Sequence, residues 1–238
     1  MFLAAHRVVS VSNHMVHQLE CLGCPTERIF LNTYGVDLNL FDSARPERVG
    51  PLFLALGRFV EKKGPLLTLK AFAEVAKTET AARLVMLGDG PLRQRCVEFA
   101  RDLEIDNQVE FPGVVDHEEA AGWMRRARCF VQHSLQAENG DSEGTPVALL
   151  EASSSGLPIV STKHGGIPDA VVDGVGGFLV EEGDFDGMAR HMLCLARDPT
   201  LAGSMGAAGR RHIEAHYSLE QSLDRLRQVL REAACCDV

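Results

Sequence analysis

Two carboxylates eight positions apart, Glu143 and Glu151, bracket what reads as the start of a helix. Gly-Thr-Pro-Val-Ala-Leu-Leu runs between them, so Thr145 is placed to cap the helix and Pro146 to fit its first turn. Gly156 then ends the helix and an apolar strand follows. A helix N-terminus offers free N–H groups and a partial positive charge, which suits a phosphate. One acid lies before that terminus and the other about a turn and a half inside it. This layout suits a molecule with a diphosphate in its middle and hydroxyl-rich groups at both ends, which describes a nucleotide-sugar.

Three further loops could contribute. In Gly57-Arg58-Phe59-Val60-Glu61-Lys62-Lys63-Gly64-Pro65, a strand ends and a helix begins, so Arg58 and Lys63 project near the carboxyl edge of a sheet. Arg grips phosphate oxygens with two parallel N–H donors, and Lys acts as a point charge. A solvated basic surface is the plain alternative. Gly88-Asp89-Gly90-Pro91 is either an ordinary turn or a place where a ligand approaches the backbone closely. Gly165 and Gly166, feeding Pro168, form a second possible anion cradle or simply a turn. Glu151 sits inside an apolar run and needs a partner if buried: a ribose diol and an internal Arg are equally good candidates.

Other chemistries lack their residues. No full GxGxxG follows a strand, so a standard NAD site is unsupported; HExxH is absent as well. His133, His164, His191, His212 and His216 show no metal-ligand spacing and read as structural or surface residues. The seven cysteines, including the lone Cys21–Cys24 pair and the adjacent Cys235 and Cys236, read as reduced thiols. A net charge of −9 argues against a nucleic-acid surface. No apolar run is long enough to span a bilayer, and the first residues turn polar too soon for a secretory signal. The expected location is the cytoplasm, or the inner face of a membrane as a peripheral protein.

The elements that must hold these loops alternate. Strands are expected over residues 7–11, 29–32, 52–56, 83–87, 109–111, 129–132, 158–161 and 177–180. Helices are expected over 14–22, 65–77, 91–103, 117–126, 146–155, 168–172, 184–197, 199–216 and 219–232. This order predicts an α/β protein, a Rossmann-like parallel sheet with helices on both faces. A linker-like stretch at 43–51 sets off a first segment too small to be a domain alone. The division expected is 1–45 as the remnant of one domain, 46–216 as the main domain, and 217–238 as a helix crossing back to the first.

In this order and spacing, the motifs resemble the family 4 retaining glycosyltransferases. The matching elements are Gly57-Arg58-Phe59 with Lys63-Gly64, Gly88-Asp89-Gly90-Pro91, Phe111-Pro112-Gly113-Val114-Val115, the Glu143-to-Glu151 block, and Gly165-Gly166-Ile167-Pro168-Asp169. The upstream Val9-Ser10-Val11-Ser12 and Asn32-Thr33-Tyr34-Gly35-Val36-Asp37 resemble the end of that family's first domain. The run from Gly140 to Pro146 and the His164-Gly-Gly-Ile-Pro loop look most like bacterial exopolysaccharide enzymes of the colanic-acid or amylovoran type.

The resemblance implies a GT-B fold whose C-terminal half holds a nucleotide-sugar donor. Arg58 and Lys63 would bind the diphosphate, Glu143 would contact the transferred sugar, and Glu151 would hold the ribose hydroxyls. Gly144, Thr145, Pro146 and Val147 would meet the phosphates through the backbone, Gly113 and Val114 would lie by the base, and Gly57 and Gly88 would line the donor site. A sugar would pass with retention to an acceptor hydroxyl on a saccharide or lipid-linked saccharide. No metal or other cofactor is implied. A family member carries about another 150 residues of N-terminal domain. This chain is therefore read as the donor-binding half, with a partner chain as one possible source of the rest. Two other readings stand beside it: a non-catalytic nucleotide-sugar-binding or assembly module, and a nucleotide-sugar epimerase.

Overall fold

The computed structural model describes residue 2 and residues 5–41 and 44–234. Residue 43 of the expected linker, together with Cys235 and Cys236, lies outside the described residues. Cys21, Cys24, Cys96, Cys129 and Cys194 are free thiols.

The first unit is β1 (Val8–Ser10), α1 (Asn13–Cys21) and β2 (Ile29–Leu31), with the two strands parallel. Ser12 caps α1 by accepting the Met15 N–H. The main body follows: β3 (Leu52–Leu56), α2 (Pro65–Ala76), β4 (Arg83–Leu87), α3 (Arg93–Asp102), β5 (Val109–Gly113), α4 (His117–Arg126) and β6 (Cys129–Val131). It continues with α5 (Val147–Ser154), β7 (Ile159–Thr162), α6 (Ile167–Ala170), β8 (Gly177–Val180), α7 (Phe185–Arg197), α8 (Pro199–His216) and α9 (Leu219–Ala234). Each strand start and helix start falls within two residues of its expected position.

The six body strands form one sheet in the order β5-β4-β3-β6-β7-β8, all parallel. Central strands of such a sheet are covered on both faces and read as continuous apolar runs. Strand period divides them: Phe53, Leu84 and Met86 face α2, α3 and α7, while Leu54, Val85 and Leu87 face α4, α5 and α8. Phe53 and Phe72 meet edge-on at 6.2 Å. Phe130 is fully buried among Leu149, Leu150 and Ile159. Truncating it to Ala would cost about 3–5 kcal/mol.

Three local expectations change. Strand β5 runs through Pro112 to Gly113 rather than stopping at Phe111. It is an edge strand, where the missing proline N–H breaks no ladder bond. Pro91 lies ahead of α3, which starts at Arg93, instead of in its first turn. The third change concerns Thr145 and Pro146. Helix α5 starts at Val147 with Pro146 as its N-cap and no side-chain cap. The Thr145 hydroxyl is turned away, donating to the Val11 carbonyl at 3.4 Å.

Strand order reverses at β3, which is followed in sequence toward one edge by β4 and β5 and flanked on its other side by β6. Loops leaving neighbouring strands at such a reversal part company and open a crevice at the carboxyl ends. The loop after β3 carries Arg58 and Lys63, and the loop after β6 carries Glu143.

Candidate functional site

The loop after β3 passes through a short 3-10 turn (Glu61–Lys63) before Gly64 and Pro65 start α2. Gly64 is left-handed at φ 51°, and a Cβ there would lie 1.9 Å from the His133 carbonyl. Only glycine allows this loop to close onto the end of β6. The neighbouring loops are laced to it: Gly57 N donates to Leu87 O and Phe59 N to Asp89 O. Gly88 N donates to Gly113 O at 2.7 Å, so those two glycines meet as partners in this lacing.

Lys63 and Glu143 come together at 2.9 Å. The other Glu143 oxygen lies 3.8 Å from Lys62 Nζ, which also bonds Asp141 at 2.9 Å. Glu143 is thus a buried carboxylate held between two lysines. Burial holds the Lys63 ammonium below the ordinary lysine range; Glu143 opposes this, while Lys62 and Arg58 add to it. Arg58 is exposed, and its side chain has no ion-pair or hydrogen-bond partner among the described residues. A small cleft opens here, lined by Gly57, Arg58, Lys63, Thr68 and Gln132 together with apolar residues of β3, β4 and β6.

At α5 the N–H groups of Gly144, Thr145, Val147 and Ala148 meet no acceptor among the described residues. Glu151 is buried within the same helix. Among the described residues no Arg meets it; its ionic neighbour is the exposed His117, 3.5 Å away. Burial raises the Glu151 carboxyl above the usual carboxylate range, with His117 opposing. Glu151 and Val147 line a second hollow with Gly35, Val36, Phe41 and His117. Gly113 and Val114 lie at the end of β5, where Val114 is 76% exposed.

Sequence reasoning missed Lys62 and underrated His164. The Lys62-Lys63 pair was visible, but which of the two would turn inward depends on the 3-10 turn; both do. His164, read as structural or surface, is buried, and its Nε2 accepts the Glu143 N–H at 3.0 Å. Its Nδ1 meets Glu182, whose second oxygen accepts from Gln136 N. Burial works against the Glu182 charge, but these bonds hold its carboxyl below the usual range. The Gly165-Gly166 loop spends its backbone on the same neighbour, since Gly166 N donates to Gly144 O. A Cβ on left-handed Gly165 would stand 2.1 Å from Glu143 O.

A match to the family described as glycosyl transferases group 1 runs over residues 40–212, well over half of the chain. The chain belongs to this family. It is similar to WcaL of Salmonella typhimurium, a protein named for colanic acid biosynthesis, at 32% identity over 83% of this chain and 49% of that one. It is also similar to the amylovoran biosynthesis glycosyltransferase AmsK of Erwinia amylovora, at 29% identity over 98% of this chain and 58% of that one. The chain therefore spans about half the length of these relatives. Among solved structures, Anabaena Alr3699/HepE in complex with UDP and glucose superposes with a TM-score of 0.84. That likeness covers 96% of this chain and 64% of the other at 18% identity, and it shows the shared fold. The α/β, GT-B type architecture expected from the motifs is therefore the fold of this group 1 glycosyltransferase chain. Among the described residues, no helix is long and apolar enough to cross a membrane.

Proposed function

We propose that this chain carries the donor site of a retaining glycosyltransferase. In this reading a nucleotide-sugar gives up its sugar to a saccharide or lipid-linked saccharide hydroxyl, in polysaccharide biosynthesis. One observation carries it: an unpartnered Arg58 side chain stands beside a half-buried Lys63 in the crevice where the sheet reverses. The open N–H groups at the start of α5 follow directly on Glu143, the partner of Lys63. A diphosphate supplies what both lack.

The roles follow from charge. As the sugar leaves, negative charge grows on the diphosphate, where Arg58 and Lys63 offer compensation without reorganising. Glu143, held by two lysines, is a poor candidate for a free base; it suits orienting Lys63 and contacting the sugar. Glu151, buried with no strong protein partner, suits the ribose diol. Gly113 and Val114 remain the proposed base contacts. The names of the relatives support the placement in exopolysaccharide synthesis, and UDP in the Anabaena protein supports a nucleotide ligand.

Calorimetric titration with UDP, GDP, ADP and dTDP tests the reading. Binding of at least one of them is expected, lost in the Arg58→Ala, Lys63→Ala double variant. Absence of binding to all four would overturn it. Turnover with an acceptor would separate the transferase from a module that only binds, and isomerisation of the donor without acceptor would mark an epimerase.

A further inference from the structure

The loop between β6 and α5 is the longest excursion beside the crevice, and its two ends are tied to one carboxylate. At its start, Gln136 N donates to Glu182 Oε2 at 2.9 Å. At its finish, Glu143 N donates to His164 Nε2 at 3.0 Å, and the other ring nitrogen of His164 meets Glu182 Oε1. Glu182 and His164 therefore form a brace across the base of the loop. The bonds fix the tautomer, because a carboxylate at Nδ1 requires the proton there and leaves Nε2 as an acceptor. The contacts from Gly165 and Gly166 onto the backbone of Glu143 and Gly144 hold the same register.

Nothing in this brace touches the crevice directly. Its effect is transmitted: Glu143 N is fixed by His164, and the Glu143 carboxylate reaches Lys63 at 2.9 Å. Resting on the donor-site reading above, we propose that His164 is a positioning residue for diphosphate binding. With Glu182 behind it, it sets the Glu143 carboxylate and through it the Lys63 ammonium. Glu182 lies on the turn after β8, so the brace couples this turn to the anion site.

Two measurements on the purified 238-residue chain test this. Calorimetry with the nucleoside diphosphate that binds most tightly should show His164→Ala weakened about tenfold, the worth of one hydrogen bond made with an otherwise buried donor. His164→Gln, which keeps an acceptor for Glu143 N, should recover to within about threefold of the parent. Glu182→Ala removes only the rear of the brace from a carboxylate that is 40% exposed, so its fold is safe. It should weaken binding in the same direction, whereas Glu181→Ala next to it should not. NMR titration of the Lys63 side chain gives a readout without ligand. With Glu143 displaced, Lys63 should lose its proton at lower pH in His164→Ala and regain its parent value in His164→Gln. A parent chain that binds no nucleoside diphosphate would sink the donor reading, and the Lys63 titration would still judge the brace. Unchanged affinity or unchanged Lys63 titration in both His164→Ala and Glu182→Ala would overturn the brace itself.

Discussion

Arg58 and Lys63 are assigned the same ligand, yet only the removal of Lys63 should destabilise the unliganded protein. Arg58 is exposed and touches no partner, so Arg58→Ala should leave stability within about 0.5 kcal/mol of the parent. Its loss should fall on the ligand, where a charge-assisted bond contributes about 1.5–3 kcal/mol, or roughly 10- to 150-fold in affinity. Lys63 is different because Glu143 depends on it. At 2.9 Å their gross attraction is about 6 kcal/mol at an effective dielectric near 20. Desolvation offsets part of that, and Lys62 at 3.8 Å keeps some compensation after Lys63 is removed. Breaking one side of a buried pair then costs about 3 kcal/mol. Lys63→Ala should therefore lower both stability and affinity. Urea unfolding and calorimetric titration of the two variants separate the effects. A destabilised Arg58→Ala, or a fully stable Lys63→Ala, would refute the division of labour drawn from the burial and pairing of these residues.

Other expectations are narrower. Lys63 is held below the ordinary lysine range when free, and a bound diphosphate would raise it. Affinity should thus be whole below the free-state value and decline as pH rises toward the bound-state value; Lys63→Arg should flatten this decline in a pH series of titrations. Burial holds His133 down to about 4, below an unfolded value near 6.5. Its contribution to stability is whole above 6.5 and should fall by about 3 kcal/mol on descending to 4. Denaturation at both ends of that range should show the loss shrinking in His133→Gln; equal losses in both proteins would count against the assignment. Glu151→Gln removes a burial cost and should hold stability within about 1 kcal/mol while weakening nucleoside diphosphates about tenfold. That penalty should shrink for a 2′-deoxy ligand. Gly64→Ala forces a Cβ to 1.9 Å from the His133 carbonyl and should lose at least about 2 kcal/mol, read as a lowered Tm.

Much of this was legible in the chain because strand and helix periods differ. The runs ending at Leu56 and Leu87 match the expected bounds, since each is a short apolar stretch closed by a glycine. The Arg58 loop is expected at the carboxyl end of a strand, and it directly follows β3. What failed was chemistry set by tertiary contact. Thr145 has the right type for a helix cap, but its hydroxyl finds Val11, a residue far away in sequence. Pro146 then takes the cap position, where its missing N–H breaks no bond of the helix. His164 reads as structural or surface and is structural, but its spacing does not show its partners, a backbone N–H and a carboxylate from two other loops. Sequence spacing carries no record of such contacts. The partner of Glu151 stayed open for the same reason, and the fold removed one option by bringing no Arg to it.

The strand order also bears on how the chain is made. Synthesis delivers β3, then β4, then β5, and each new strand finds its neighbour already present. The second half then returns to the opposite side of β3 and grows outward through β6, β7 and β8. Every strand of the body can therefore dock as it emerges, on an edge left by an earlier one. Until Cys129 has left the ribosome, however, the apolar stretch Leu52–Leu56 keeps one row of N–H and C=O groups unpaired. That interval, some seventy residues long at about 5–20 residues per second, is when the nascent chain is open to pairing with a neighbour. Slower translation across α3 and α4 should lengthen it and raise the aggregated fraction.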